Sequence, residues 1–386
     1  MKLVSWQPVL TEHQVHLMRS VQANRTASLR VIAGARTLPE RQSQGWVEID
    51  GSDLDYMVLP KRGWWRVATE AINQCKDAVH LFGGIFADRR FFWLMLYCRL
   101  KGIKVGLMSE PYAEDALGYF SQQSVATEKA KSFLRPLMYR LAAYLVGRGL
   151  FAFFPISDLA AQQFKRHGFR ASGIYPFAYF VPRIGSVLKA SVAATELQSI
   201  RIIFVGSFIK RKGIGVLLEA WAVAQRVSAG MKSNMELDIY GTGLLDERDL
   251  PSNVHLKGPI RFGESQSVMA QYDALILPSL HDGWGVVVNE ALLQGVPALV
   301  SDRVGAQVLV KTSNAGAIFK ADSVTALAEL FVRLADDPLQ LKDWAIGARK
   351  LAHSLEPSAG ADYLLACLEH AERGVGSAPT PPWTRL

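Results

Sequence analysis

The chain has 386 residues, 49% of them apolar and 20% charged, which suits two domains of about 190 residues, each with its own core. Cys75, Cys98 and Cys367 stand far apart with no CxxC pair, which argues against a zinc cluster or disulfide framework and fits a reducing cytoplasm. The net charge of +8 is unevenly held: residues 1–190 carry 25 Lys+Arg against 14 Asp+Glu, and residues 191–386 carry 18 against 21. A basic first half implies an anionic partner. Because its basic residues interleave with long apolar stretches, an anionic membrane surface fits better than nucleic acid.

In chain order, Lys2–Trp6 reads as a strand, and Thr11-Glu12-His13-Gln14 as a capping box opening a helix. The first ten residues are too short and too broken by Gln7 and Pro8 for a signal peptide. Strands are expected at 29–33, 46–49 and within 53–60, a helix at Trp64–Cys75, and a buried strand at Ala78–Phe82. Segments 88–100 and 133–154 are apolar and carry arginines. The first, about 13 residues long, is too short to span a bilayer, no run of 18 apolar residues occurs in the chain, and each segment reads as a core helix or as one lying in a membrane interface. Strands follow at Ile103–Met108 and Phe151–Ile156, the latter leading into a helix capped by Ser157-Asp158.

Residues 183–199 are small and polar and read as a linker between a first domain, 1–182, and a second, 200–358. A helix at 359–373 could pack back on the first domain, and 374–386, rich in Gly and Pro, reads as a loose tail. The second domain alternates strands (200–205, 236–240, 254–257, 274–277, 298–301) with helices (near 213–227, 265–272, 286–294, 323–335), the pattern of a doubly wound parallel sheet.

Three turns in that domain carry chemistry. In RIIFVGSFIKRKG, residues 201–213, a buried strand ends at Gly206, and a basic loop places Arg211 and Lys212 where the carboxyl end of such a sheet opens a crevice. Two fixed cations there suit a diphosphate, although a solvated basic loop would read the same way. Asp238-Ile239-Tyr240-Gly241-Thr242-Gly243 is a weak dinucleotide signal, lacking the third glycine and the acidic residue about 20 positions on. In residues 274–306, a strand ends at Pro278-Ser279. His281-Asp282-Gly283-Trp284-Gly285 then forms a turn, and Val286–Gln294 a helix that stops at Gly295. A helix start suits a phosphate. Asp282 and Glu290, with seven residues between them, suggest that the ligand also carries hydroxyls.

FVGSFIKRKG, IYGTG, HLKG and LPSLHDGWGVVVNEALLQGVPALVSDRVGA together resemble the second domain of the group 1 (family 4) glycosyltransferases, and FFPISDLAAQQFKRHGF resembles the end of that family's first domain. The resemblance implies a GT-B fold, α/β with two Rossmann-like domains facing a cleft, and retaining transfer from a nucleoside diphosphate sugar. It implies that Glu290 holds the donor ribose and that Asp282, where the family has a longer glutamate, lies by the transferred sugar. Backbone at Gly283, Trp284 and Gly285 meets sugar hydroxyls and diphosphate, and Gly206 and Ser207 line the donor. Ser207 replaces an arginine the family often has, which leaves the phosphate to Arg211 and Lys212. On the acceptor side Glu110 stands where many members have a histidine, and His13 is a second candidate.

Asp282, Lys212 and Arg211 are therefore the expected catalytic set, with no metal and no cofactor beyond the nucleotide sugar. A glycan or lipid-linked acceptor is expected in surface polysaccharide or lipopolysaccharide synthesis, in the cytoplasm or on the inner membrane face. The competing readings are a non-catalytic nucleotide-sugar-binding partner and an epimerase or phosphorylase on the same fold.

Overall fold

The computed structural model describes residues 1–37, 48–114, 125–185, 199–245, 250–251, 253–261 and 263–385. The chain divides into two compact units: one of residues 1–114, 129–182 and 356–385, the other mainly of residues 183–355. The predicted linker at 183–199 falls largely outside the described residues.

In the first unit, the described strands are β1 (Lys2–Val9), β2 (Ser28–Ala35), β3 (Tyr56–Val58), β4 (Val79–Gly83), β5 (Val105–Ser109), β6 (Leu150–Pro155) and β7 (Ala171–Ile174). They form a parallel sheet in the order β3-β2-β1-β4-β5-β6-β7. Its helices are α1 (Glu12–Ala23), α2 (Trp64–Gln74), α3 (Arg89–Leu100), α4 (Val125–Leu145) and α5 (Asp158–His167).

The second unit holds β8 (Ile200–Val205), β9 (Met235–Tyr240), β10 (Val254–Gly258), β11 (Ala274–Leu277), β12 (Ala298–Ser301) and β13 (Gly316–Phe319), in the order β10-β9-β8-β11-β12-β13. Its helices are α6 (Ile214–Val227), α7 (Ala229–Asn234), α8 (Ser265–Met269), α9 (Val286–Leu293), α10 (Gln307–Ser313), α11 (Val324–Asp336) and α12 (Gln340–Leu351). The last helix, α13 (Pro357–Arg373), belongs to the first unit.

Both sheets are doubly wound. In each, the strand order reverses beside the first strand, at β1/β4 and at β8/β11, which is where such sheets open a ligand crevice at their carboxyl ends. Both faces are covered, so central strands are buried along their length: Ala274–Leu277 and Ala298–Ser301 are buried at every position. One core gathers Trp6, Phe82, Phe91, Leu107 and Phe164, the other Phe204, Trp221, Leu237, Ile276 and Phe331.

Several expectations are corrected. Glu48 and Ile49, expected in a strand, are not in one, and the rest of 46–49 lies outside the described residues. The 133–154 segment is not continuous: α4 ends at Leu145, a single 3-10 turn spans Gly147–Gly149, and β6 begins at Leu150. The edge strands β7 and β13 are absent from the sequence reading: each spans four residues and buries only one of them. Residues 374–385 are not loose throughout. A 3-10 turn at Pro382–Thr384 buries Trp383, whose ring lies 6.2 Å from Phe180 and 6.0 Å from Tyr363.

Candidate active site

The second unit's site is built where β8 and β11 deliver their loops side by side. After β8 the chain passes Gly206 and Ser207, makes a 3-10 turn over Lys210–Lys212, and enters α6 through Gly213. After β11 it runs through Pro278 to Gly285 and enters α9. The loops are stitched together by backbone: Leu280 N donates to the Arg211 carbonyl at 2.8 Å. Gly213 adopts φ +72°, and a Cβ there would stand 2.0 Å from the Pro278 carbonyl oxygen, so only glycine permits the approach.

Three predicted residues meet in this seam. Lys212 Nζ donates to Asp282 Oδ2 at 2.5 Å, Arg211 Nη1 lies 4.0 Å from Asp282 Oδ1, and Arg211 Nη1 donates to the His281 carbonyl at 3.0 Å. The side chains are 12–17% exposed, so the charges are screened far less than surface pairs. Burial pushes the Asp282 carboxyl up, but Lys212 and Arg211 beside it outweigh that and hold it below the usual aspartate range. Lys212 and Arg211 thus set two cations beside the Asp282 carboxylate at the carboxyl end of a parallel sheet, groups that an anionic ligand can meet.

The Asp282 backbone is fixed independently of its side chain. Its N–H donates to the Arg303 carbonyl at 3.0 Å, and its carbonyl accepts from Gly305 N at 3.0 Å. Gly285, at φ +91°, turns the chain into α9 with Leu277 and Val304 packed where a Cβ would sit. The Trp284 indole points inward: Nε1 donates to Asn289 Oδ1 at 2.7 Å, and both residues are buried. Asn289 was missed by sequence reading, although a polar residue among the valines and leucines of a short helix was its signal. Glu290 is the fifth residue of α9 and half-buried, as is Ser207 on the facing loop.

Gly241 and Gly243 serve packing. A Cβ on Gly241 would lie 1.9 Å from the Gly206 carbonyl oxygen and one on Gly243 2.5 Å from Phe208 Cβ, so these glycines let the turn after β9 close onto the turn after β8. Phe208 N donates to the Thr242 carbonyl across that contact at 2.8 Å.

In the first unit, Glu110 and His13 are brought together by a residue the sequence reading missed. The Tyr179 hydroxyl donates to Glu110 Oε1, and the His13 ring lies 4.2 Å from the Tyr179 ring. His13 Nε2 is 3.0 Å from Thr11 Oγ1, and Gln14 Oε1 accepts from the Thr11 N–H at 3.1 Å, as part of the expected capping box at the start of α1. Tyr179 lies in an irregular stretch 69 residues beyond Glu110, so no spacing signal was available.

Residues 191–351 match the family model "Glycosyl transferases group 1". The lipopolysaccharide glucosyltransferase WaaG of Escherichia coli K12 is 25% identical over 213 residues, covering 51% of this chain and 55% of that protein. The amylovoran biosynthesis glycosyltransferase AmsK of Erwinia amylovora is 26% identical over 166 residues, 39% of this chain and 40% of that protein. The matches thus span about half the length of these curated relatives or less. Among solved structures, Anabaena Alr3699/HepE in complex with UDP aligns with a TM-score of 0.66 at 16% identity, covering 96% of this chain and 100% of that one. The arrangement of strands in the two units is accordingly that of the GT-B fold, and the second unit is the part of the chain that matches the group 1 glycosyltransferase model.

Proposed function

We propose that the protein is a metal-independent, retaining glycosyltransferase that moves a sugar from a nucleoside diphosphate sugar to a hydroxyl of a glycan or lipid-linked acceptor in surface polysaccharide or lipopolysaccharide synthesis. The observation that carries this reading is the buried Lys212–Asp282–Arg211 cluster at the β8/β11 reversal. The family match supports it, as do relatives named for lipopolysaccharide and amylovoran synthesis and a solved neighbour that binds UDP.

In the proposed reaction the bond between the sugar's anomeric carbon and the diphosphate oxygen breaks as the acceptor oxygen bonds to that carbon. The acceptor's proton passes to the leaving phosphate oxygen. Negative charge grows on the diphosphate while positive charge grows on the sugar. Lys212 and Arg211 meet the first, held in place before the reaction by Asp282 and the His281 carbonyl so that little reorganisation is needed. Asp282 faces the second. Gly206, Ser207 and the Gly283-Trp284-Gly285 backbone line the donor, Glu290 takes the ribose hydroxyls, and Glu110, Tyr179 and His13 form the acceptor-side set.

The test is incubation with a panel of labelled UDP-, GDP- and ADP-sugars, scored for nucleoside diphosphate release. Release from one donor by the wild type, lowered by about a hundredfold or more in Lys212→Ala and in Glu290→Ala, is expected. Unchanged release in both variants refutes the site assignment. Conversion of the donor to its epimer without release refutes the reaction.

A further inference from the structure

Helix α4 is apolar on two opposite sides, and only one of them is covered. Tyr139, Ala142 and Ala143 pack into the first unit's core. Phe133, Leu134, Leu137, Met138, Leu141 and Tyr144 recur at steps of three and four on the other side, and they are exposed, Phe133 to 83% and Leu137 to 65%. A helix apolar all round is expected to be covered all round.

Charge identifies what covers it. Residues 89–109 and 129–157, which include α3 and most of α4, hold ten Lys+Arg and no Asp or Glu. Arg140 and Arg148 are exposed beside the stripe, and the Arg148 guanidinium lies 5.4 Å from the Tyr144 ring centre at its end. Among the described residues no helix is long and apolar enough to cross a membrane. An apolar stripe rimmed by arginine, on a helix that cannot span, suits the boundary between lipid headgroups and acyl chains, with the arginines reaching anionic headgroups.

We propose that the outward face of α4 is a docking surface for an anionic lipid bilayer, on which the helix lies parallel to the membrane plane. The proposal does not depend on the transferase reading, since lipid binding needs no donor.

The full-length protein is floated with vesicles of phosphatidylcholine alone and of phosphatidylcholine mixed with phosphatidylglycerol. The comparisons are L137S/L141S, which removes stripe side chains, and R140E/R148E, which reverses the rim. All substituted residues are exposed, and circular dichroism with a melting curve checks that the variants fold. Preferential binding to the anionic vesicles is expected, weakening as salt rises. Partitioning should fall by about tenfold or more in each variant. Equal binding to both vesicle types, or undiminished binding of a folded L137S/L141S protein, overturns the proposal. So does a concentration-dependent dimer that L137S/L141S abolishes in a protein binding no vesicles.

Discussion

At the scale of single residues, Asp282 organises the second unit's site. Its carboxylate neutralises one of two neighbouring cations and fixes Lys212, while its backbone ties the turn to Arg303 and Gly305. Replacing Asp282 by Asn keeps the shape but removes the carboxylate that the poorly solvated Lys212 ammonium donates to. We expect a loss of about 3 kcal/mol in the unfolding transition of this unit by denaturant titration. The pH dependence has a definite sign. Because the folded carboxyl titrates below the ordinary range, its contribution is fully present above the unfolded value of about 3.9. It is lost as pH falls through the lower folded value. The gap between wild type and Asp282→Asn should therefore be constant near neutrality and close in acid. A gap that widens in acid contradicts the ion-pair account.

At the scale of elements, what matters is how closely one loop approaches the next. Gly213 lets the loop after β8 lie against Pro278. In Gly213→Ala the methyl would have to displace a carbonyl oxygen while the residue keeps φ +72°. A destabilisation of about 2 kcal/mol or more is expected, with weaker nucleotide binding because Arg211 and Lys212 move together. Unchanged stability would show that the seam is looser than described.

The same geometry explains what could be read in advance. The residues of both loops were legible, because a buried strand ending in glycine, a basic triplet, and an acidic turn before a helix are local patterns. The pairing of Lys212 with Asp282 was not, because it joins residues 70 apart and depends on β8 and β11 being neighbours. Tyr179 was illegible for the same reason. The edge strands β7 and β13 were missed because each is only four residues long and mostly uncovered.

At the scale of the whole molecule, the charge split and the closing segment of the chain carry the argument. Helix α13 follows the second unit in sequence yet belongs to the first. There the Tyr175 hydroxyl lies 2.7 Å from His370 Nδ1, and Lys104 Nζ lies 2.6 Å from Glu372. Trp383 completes that contact against Phe180 and Tyr363. Trp383→Ala should therefore destabilise the first unit by about 3 kcal/mol, read as a lowered melting temperature. A neutral outcome would return the closing residues to the loose tail that their Gly and Pro content suggested. Composition revealed that the first half is basic, but not that its apolar residues divide between a covered and an uncovered side of one helix.

The central claim is that the Lys212–Asp282–Arg211 cluster receives the diphosphate of a nucleotide. Titration calorimetry of wild type, Lys212→Ala and the charge-keeping Lys212→Arg with UDP, GDP and ADP tests it directly. One nucleotide should bind the wild type. It should bind Lys212→Ala about tenfold to a hundredfold more weakly, as loss of a charge-assisted hydrogen bond of about 1.5–3 kcal/mol requires, with Lys212→Arg in between. Equal affinity in wild type and a folded Lys212→Ala protein, or no affinity of the wild type for any of the three, would contradict the account.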